Sequence, residues 1–359
     1  MLAIDKCSIQ NSIKTLEELK EAELPLYLWG AGNVAEEVYR LLEEQGITIA
    51  GVFVTTACGN KKKFGNYEVV TLDEVLQKTT TINVMIGHAQ YHKKTEMEKN
   101  EGVNKVYYIL NPFRSHDDIF YGDYLEHQKE YEHAFALFEE EYSQKVFQAY
   151  LNTRINDDLH YLLECFDKPI TYYENGIFDL SKAENYVDIG AYNGDTVMDF
   201  VRSTNGKYNY IYAFEPEPEL FNELQDNVNK NHYKNISLYQ LGLWDSNAQL
   251  SFVSESGQSD RVVAEAESVN KIDVVTLDSI LDGKEITFIK SNMSAGTKEW
   301  IEGAKQILGG QKPKLVINVG LTKQLLYQIP LLLHEINDKY QFALRFNESM
   351  PSRLFLYAY

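Results

Sequence analysis

Apolar residues recur along this chain in two strand–helix series with a long helical stretch between them. The first series opens with a short acidic helix predicted over 15–22 and an apolar strand over 26–29. Gly30-Ala31-Gly32 follows, and then Val34, Val38, Leu41 and Leu42 keep a helical period up to Gly46. Further strands are predicted over 47–54, at 69–70, and over 84–86 and 106–110, with helices over 72–77 and 92–101 between them. Asn111-Pro112 closes this unit. From about 113 to 166 the period is helical with few breakers, and Asp167-Lys168-Pro169 stops it.

The second series predicts strands over 186–189, 210–214, 236–240, 250–253, 286–289, 315–319, 342–346 and 353–359. Its helices are predicted over 196–202, 217–229, 275–281, 299–308 and 324–337. Alternation of this kind implies an α/β fold of parallel sheets with helices on their faces. The expected organisation is a small Rossmann-like α/β domain over 1–112, a helical connector over 113–180 and a second α/β domain over 181–359.

Composition narrows the function. The chain has 359 residues, enough for two cores, and its 34 Lys and Arg face 53 Asp and Glu, a net charge of -19. So acidic a surface repels phosphate backbones and anionic headgroups, which argues against nucleic acid and membrane surfaces as partners. Cys7, Cys58 and Cys165 are far apart and show no metal-ligand spacing, so a reducing compartment and no metal are expected. The polar N-terminus lacks the apolar stretch of a secretion signal, and no run is long enough for a membrane span. A cytoplasmic protein is therefore expected.

The most informative stretch is Tyr186-Val187-Asp188-Ile189-Gly190-Ala191-Tyr192-Asn193-Gly194-Asp195-Thr196. An apolar strand runs into a turn with two glycines and then into a helix. Gly190 and Gly194 allow a tight turn and close approach of a ligand at the carboxyl edge of a parallel sheet. Asp188 and Asp195 disfavour a phosphate there and suit a cation such as S-adenosylmethionine (SAM), which carries an ammonium and a sulfonium. Glu215 ends the next strand, where a carboxylate can accept hydrogen bonds from ribose hydroxyls, and Pro216 turns the chain into a helix.

These segments, DIGAYNGDT and YAFEPEPELFNEL, together with VVTLDSIL, ITFIK and KPKLVINV, resemble the FkbM family of SAM-dependent methyltransferases. The likeness extends to FQAYLNTRINDDLHYLLE in the connector and to IPLLLHEIN and FLYAY near the C-terminus, the pattern of two-domain members. The resemblance implies a class I SAM-methyltransferase Rossmann-like sheet in the C-terminal domain. It implies O-methylation of a sugar, a glycan or a related small-molecule hydroxyl. Carried over, Asp188, Gly190, Asn193, Gly194 and Asp195 would hold the methionine end of SAM, Glu215 its ribose, and Gly242 and Leu243 would lie near the adenine.

The sequence departs from the family after ITFIK, where members usually read K-x-D-x-E-G-A-E. Lys290 matches, but Asn292, Ser294 and Thr297 stand where carboxylates are usual. An aromatic-His-Lys run is replaced by Gly320-Leu321-Thr322 after Val319, and an Arg-His run by Arg345-Phe346. Methyl transfer to a hydroxyl needs a proton acceptor, and Asn292 can orient a hydroxyl without taking its proton. Lys290 and Asn292 are the catalytic candidates, with Asp245, Asp260 and Glu299 as alternative bases. The rival expectation is a catalytically decayed SAM-fold protein that binds or assembles partners in a glycan pathway.

Elsewhere the signals point to structure. Trp29-Gly30-Ala31-Gly32 is part of a dinucleotide fingerprint, but Ala35 occupies its third glycine position. Thr55-Thr56 stands where a ribose-binding acid is wanted, so no NAD is expected and the first unit is read as a scaffold or a homo-oligomer surface. His88, after Gly87, is placed at the rim of that crevice. His232, Ser259-Asp260-Arg261 and the run Lys61 to Lys63 are read as surface loops.

Overall fold

The computed structural model describes residues 2–6, 10–55, 63–88, 90–110, 119–165, 172–173, 176–180, 183–253, 261–262, 270–293, 295–346 and 352–359. Asn111-Pro112, Asp167-Lys168-Pro169, Thr56, Lys61-Lys62, Cys7, Cys58, Ser259-Asp260 and Ser294 lie outside them. The chain forms two compact units, one of residues 1–126, 145–166 and 348–351, the other of 127–144, 167–347 and 352–359. The connector stretch thus divides between them. Its described helices are Tyr121–Glu126, Gln128–Ala136, Glu141–Asn156 and His160–Leu163.

The first unit holds β1 (Leu26–Trp29), β2 (Gly51–Val54), β3 (Lys63–Phe64), β4 (Tyr67–Thr71), β5 (Ile82–Ile86) and β6 (Val103–Tyr107) in the order β3-β4-β2-β1-β5-β6. All pairings are parallel except the β3–β4 hairpin. The amphipathic helix Asn33–Glu44 packs Ala35, Val38, Leu41 and Leu42 into a core with Leu28, Val52 and Met85. The strand predicted from residue 47 begins only at Gly51. Ile47 and Ile49 are nevertheless buried in the same core, which accounts for the apolar signal without ladder pairing.

The second unit contains β7 (Asn185–Ile189), β8 (Tyr210–Phe214), β9 (Ile236–Tyr239), β10 (Gly242–Leu243), β11 (Ala248–Val253), β12 (Arg261–Val262), β13 (Asn270–Val275), β14 (Phe288–Ser291), β15 (Lys314–Asn318), β16 (Phe342–Phe346) and β17 (Leu354–Ala358). Seven of these form a sheet in the order β16-β17-β15-β14-β7-β8-β9. It is parallel except for β17, which runs antiparallel to both β15 and β16. This is a Rossmann-like arrangement with a reversed strand inserted near one edge. The strand order changes direction between β7 and β14, and ligands of open parallel sheets bind beyond the carboxyl ends of such a pair. The remaining strands make a small sheet, β10-β13-β11-β12, over a cluster of Trp244, Leu250, Ile272 and Val274.

Three differences from the predicted elements have causes visible in the structure. β14 runs two residues beyond the apolar segment because its register sets Lys290 opposite Asp188, so a buried charge continues the strand. The helix predicted over 299–308 is two, Thr297–Glu302 and Lys305–Gln311, broken at Gly303. A side chain at Gly303 would overlap the Trp244 carbonyl oxygen, with its Cβ 2.0 Å away. The segment 270–275 is a strand whose Ile272 and Val274 alternate inward; the helix after it is only Leu277–Ile280, capped by Thr276.

Candidate functional site

The β7 turn is built from backbone that only certain residues tolerate. Gly190 has φ 69° and Gly194 φ 89°. A Cβ on Gly194 would stand 2.9 Å from Leu224 Cδ1, and one on Gly190 3.3 Å from the carbonyl oxygen of Asn292. The turn therefore lies directly on the end of β14. Gly194 caps the amphipathic helix Asp195–Ser203, and Asp195 stands in its first turn, where a carboxylate complements the helix dipole. Asp195 Oδ1 accepts from the Thr196 amide at 2.7 Å. Asn227 donates to the Asn193 carbonyl at 2.8 Å, which fixes the middle of the turn.

Asp188 and Lys290 meet each other beneath this turn. Both are buried, and Lys290 Nζ donates to Asp188 Oδ1 at 2.9 Å, to the Gly190 carbonyl at 3.2 Å and to Thr196 Oγ1 at 3.2 Å. Thr196 in turn donates to Asp188 Oδ2 at 2.6 Å. Burial alone pushes the Lys290 ammonium toward neutrality. Asp188, aided by Tyr172 and Asp195, outweighs burial and holds it above the ordinary lysine range. The pair thus fastens strand, turn and helix together as a buried support.

Glu215 is buried beside the turn. Its Oε2 accepts from the Tyr192 amide at 2.9 Å and its Oε1 from the Glu217 amide at 3.0 Å. Two main-chain donors fix the plane of this carboxylate. Gly242 and Leu243 are buried in β10, paired with Val274 and Val275.

At the carboxyl ends of β14 and β15 lies a chain of neutral groups. The Gly320 amide donates to Asn318 Oδ1 at 3.0 Å, Asn318 Nδ2 to Asn292 Oδ1 at 2.9 Å, and Asn292 Nδ2 to Tyr172 Oη at 3.2 Å. A backbone N–H can only donate, so both amides have one orientation and the Tyr172 oxygen receives from Asn292. Burial pushes the Tyr172 phenol up, against Lys290 and Arg353, so it stays protonated at neutral pH. The Tyr172 ring also lies 5.6 Å from Lys290 Nζ, linking the two networks. The role of Thr196, Asn318 and Tyr172 was not read from the sequence. An asparagine in the apolar VINV strand and a threonine opening a helix beside an aspartate are the signals that carry it.

Asp245 and Glu299 line one depression with Ser246, Lys298, Glu302 and Lys305. Asp260 lies outside the described residues. Arg345 forks onto Glu140 at 2.7 and 2.8 Å. His232 is exposed, with φ 54°. Another depression, lined by 283–287 and 311–314, lies at the amino ends of β14 and β15, the edge away from the glycine turn. Among the described residues no group of acids, histidines and cysteines is placed to hold a metal, and no helix is long and apolar enough to cross a membrane.

In the first unit the glycines after β1 and β5 pack closely on one another. Gly30 has φ 126°, and a Cβ there would lie 2.6 Å from the Gly87 carbonyl oxygen. A Cβ on Gly87 would meet the Ala35 methyl at 2.9 Å. Ala35 thus fills the fingerprint's third position against Gly87. His88 packs edge-on to Trp29 at 4.3 Å and accepts from the Gln90 amide at 3.1 Å.

Residues 188–340 match the family model of the methyltransferase FkbM domain. The chain is similar in fold to a methyltransferase FkbM from Methylobacillus flagellatus, with TM-score 0.71 and 17% identity over 99% of this chain and 94% of that one. A ribosomal RNA methylase from Streptococcus thermophilus covers 50% of this chain and 87% of its own at 15% identity, with TM-score 0.32. A methyltransferase from Streptococcus mutans in complex with S-adenosylhomocysteine covers 49% and 86% at 13% identity, again with TM-score 0.32. No curated protein matches the chain.

Proposed function

On the premise that residues 188–340 form a methyltransferase FkbM domain, we propose that the chain is a SAM-dependent O-methyltransferase acting on a hydroxyl of a sugar or glycan intermediate in the cytoplasm. The observation that carries this reading is the pairing of the glycine turn with a carboxylate already aimed by the Tyr192 and Glu217 amides. The turn also fits the group chemically. Asn193 Oδ1 is buried and lacks a hydrogen-bond partner in the structure, an acceptor in place for the ammonium of SAM.

In this reading Gly190, Asn193, Gly194 and Asp195 hold the methionine end, while Asp188, expected beside them, is engaged by Lys290 and Thr196; Glu215 holds the ribose, and Gly242 and Leu243 border the adenine. SAM supplies a methyl made electrophilic by its sulfonium. Asp188 and Lys290 act beneath the site, keeping Gly190 and Thr196 in place. Asn292, held by Asn318 and Tyr172 against the Gly190 turn, orients the acceptor hydroxyl. The hydroxyl proton goes to a carboxylate, for which Asp245 and Glu299 are the described candidates. The test is transfer of labelled methyl from SAM to nucleotide-sugars and glycan fragments. Turnover abolished by Glu215→Ala supports the reading. Silence across the panel with SAM binding intact favours a second one, a SAM-fold binding protein. That reading draws on Asn292 being engaged at both ends of its amide.

A further inference from the structure

We propose that Tyr192 is a cofactor-contacting residue whose ring packs on the sulfonium of SAM, an inference that rests on the SAM-binding reading above. Among the described residues four large hydrophobic side chains are exposed, and Tyr192, at 53%, is the one in the second unit. The other three, Ile13, Phe120 and Leu125, belong to the first. Tyr192 stands between Gly190 and Gly194, at the carboxyl end of the strand where the sheet order reverses.

Its backbone is unusual as well. Tyr192 has φ 52°, a conformation natural to glycine or asparagine and disfavoured for a bulky aromatic. This outlier carries a half-exposed ring beside the glycine turn, and such outliers gather where a ligand is clamped. The Tyr192 amide is committed to Glu215 Oε2, so the backbone that carries the ring is held beside the carboxylate assigned to the ribose. The next residue, Asn193, carries the buried unpartnered oxygen assigned to the ammonium. Between ribose and ammonium along SAM lies the sulfonium, and an electron-rich ring face attracts a cation.

The contact has a chemical signature. S-adenosylhomocysteine keeps the ribose and ammonium but has a neutral thioether in place of the sulfonium. A ring acting on the positive charge therefore favours SAM over S-adenosylhomocysteine, whereas a ring acting only as apolar cover treats the two alike.

The experiment is calorimetric titration of the full chain with each compound, for wild type, Tyr192→Phe, Tyr192→Leu and Tyr192→Asn, with thermal melting of each protein. Phenylalanine should keep the ratio of the two affinities. Leucine and asparagine should weaken SAM relative to S-adenosylhomocysteine by roughly three- to tenfold. The asparagine variant should melt at or above the wild-type temperature, because asparagine suits the backbone at this position. Wild type that binds SAM, with a ratio unmoved by leucine, overturns the sulfonium contact and leaves the SAM site standing. Wild type that binds neither compound overturns the SAM reading itself. An asparagine variant that melts well below wild type shows the ring to be structural and overturns the inference.

Discussion

Replacing Lys290 with methionine separates a supporting role from a reacting one. The ammonium is buried and donates to Asp188, the Gly190 carbonyl and Thr196. Methionine fills similar space but leaves Asp188 as a buried charge without its cation, with Thr196 still donating to it. Breaking a buried ion pair from one side costs about 3–5 kcal/mol. For a unit of this size that lowers the melting temperature by roughly 6–20 °C. Scanning calorimetry reads the shift in the transition of the second unit. A partner variant, Lys290→Met with Asp188→Leu, removes both charges and should recover most of the loss, since well-packed apolar replacements of buried pairs are often neutral. The Lys290 contribution is present below the unfolded lysine value of about 10.4 and is lost only as pH rises through its higher folded value. A Lys290→Met protein that melts within a degree or two of wild type yet loses methyl transfer would refute the supporting role.

Asn292→Asp keeps the bond from Asn318 but removes the donor to Tyr172 and adds a charge to a neutral network; turnover of an adapted enzyme should fall roughly tenfold, about 1.5 kcal/mol of lost positioning, whereas a gain from a silent baseline would mark a decayed one. Gly194→Ala, at φ 89° and against Leu224, should destabilise the second unit by about 1–2 kcal/mol in urea unfolding. Arg345, through its hydrogen bonds, holds the Glu140 carboxyl below the usual range, so its contribution is present above about pH 4.5 and lost as pH falls through the lower folded value. Glu140→Gln should therefore cost up to about 1 kcal/mol at neutral pH and nothing in strong acid, by melts across pH. Titrating the protein with NADH under fluorescence should give no saturable signal, and micromolar affinity would overturn the scaffold reading of the first unit.

Much of this fold is legible in the sequence because parallel strands buried on both faces read as apolar runs. The strands Leu26–Trp29 and Tyr210–Phe214 fall where hydrophobicity places them. Less legible are elements decided by contacts distant in sequence. The end of β14 depends on Asp188, some hundred residues away, and the break at Gly303 depends on Trp244. The turn and Glu215 stand out locally because paired glycines and an acid at fixed spacing mark the sequence directly. The partnership of Asp188 with Lys290 and the Asn318–Asn292–Tyr172 chain could not be read that way. Hydrogen-bond direction is set by the Gly320 backbone amide and by strand register, neither of which leaves a mark on composition.

The central claim is that the second unit holds SAM through the glycine turn and Glu215. Calorimetric titration of the wild-type chain with SAM, repeated with Glu215→Ala, tests it most directly. Saturable one-to-one binding is expected, weakened in the variant by about 1.5–3 kcal/mol as charge-assisted hydrogen bonds are lost. Wild-type protein that shows no SAM binding at millimolar concentration, or a Glu215→Ala variant that binds as tightly as wild type, would contradict it.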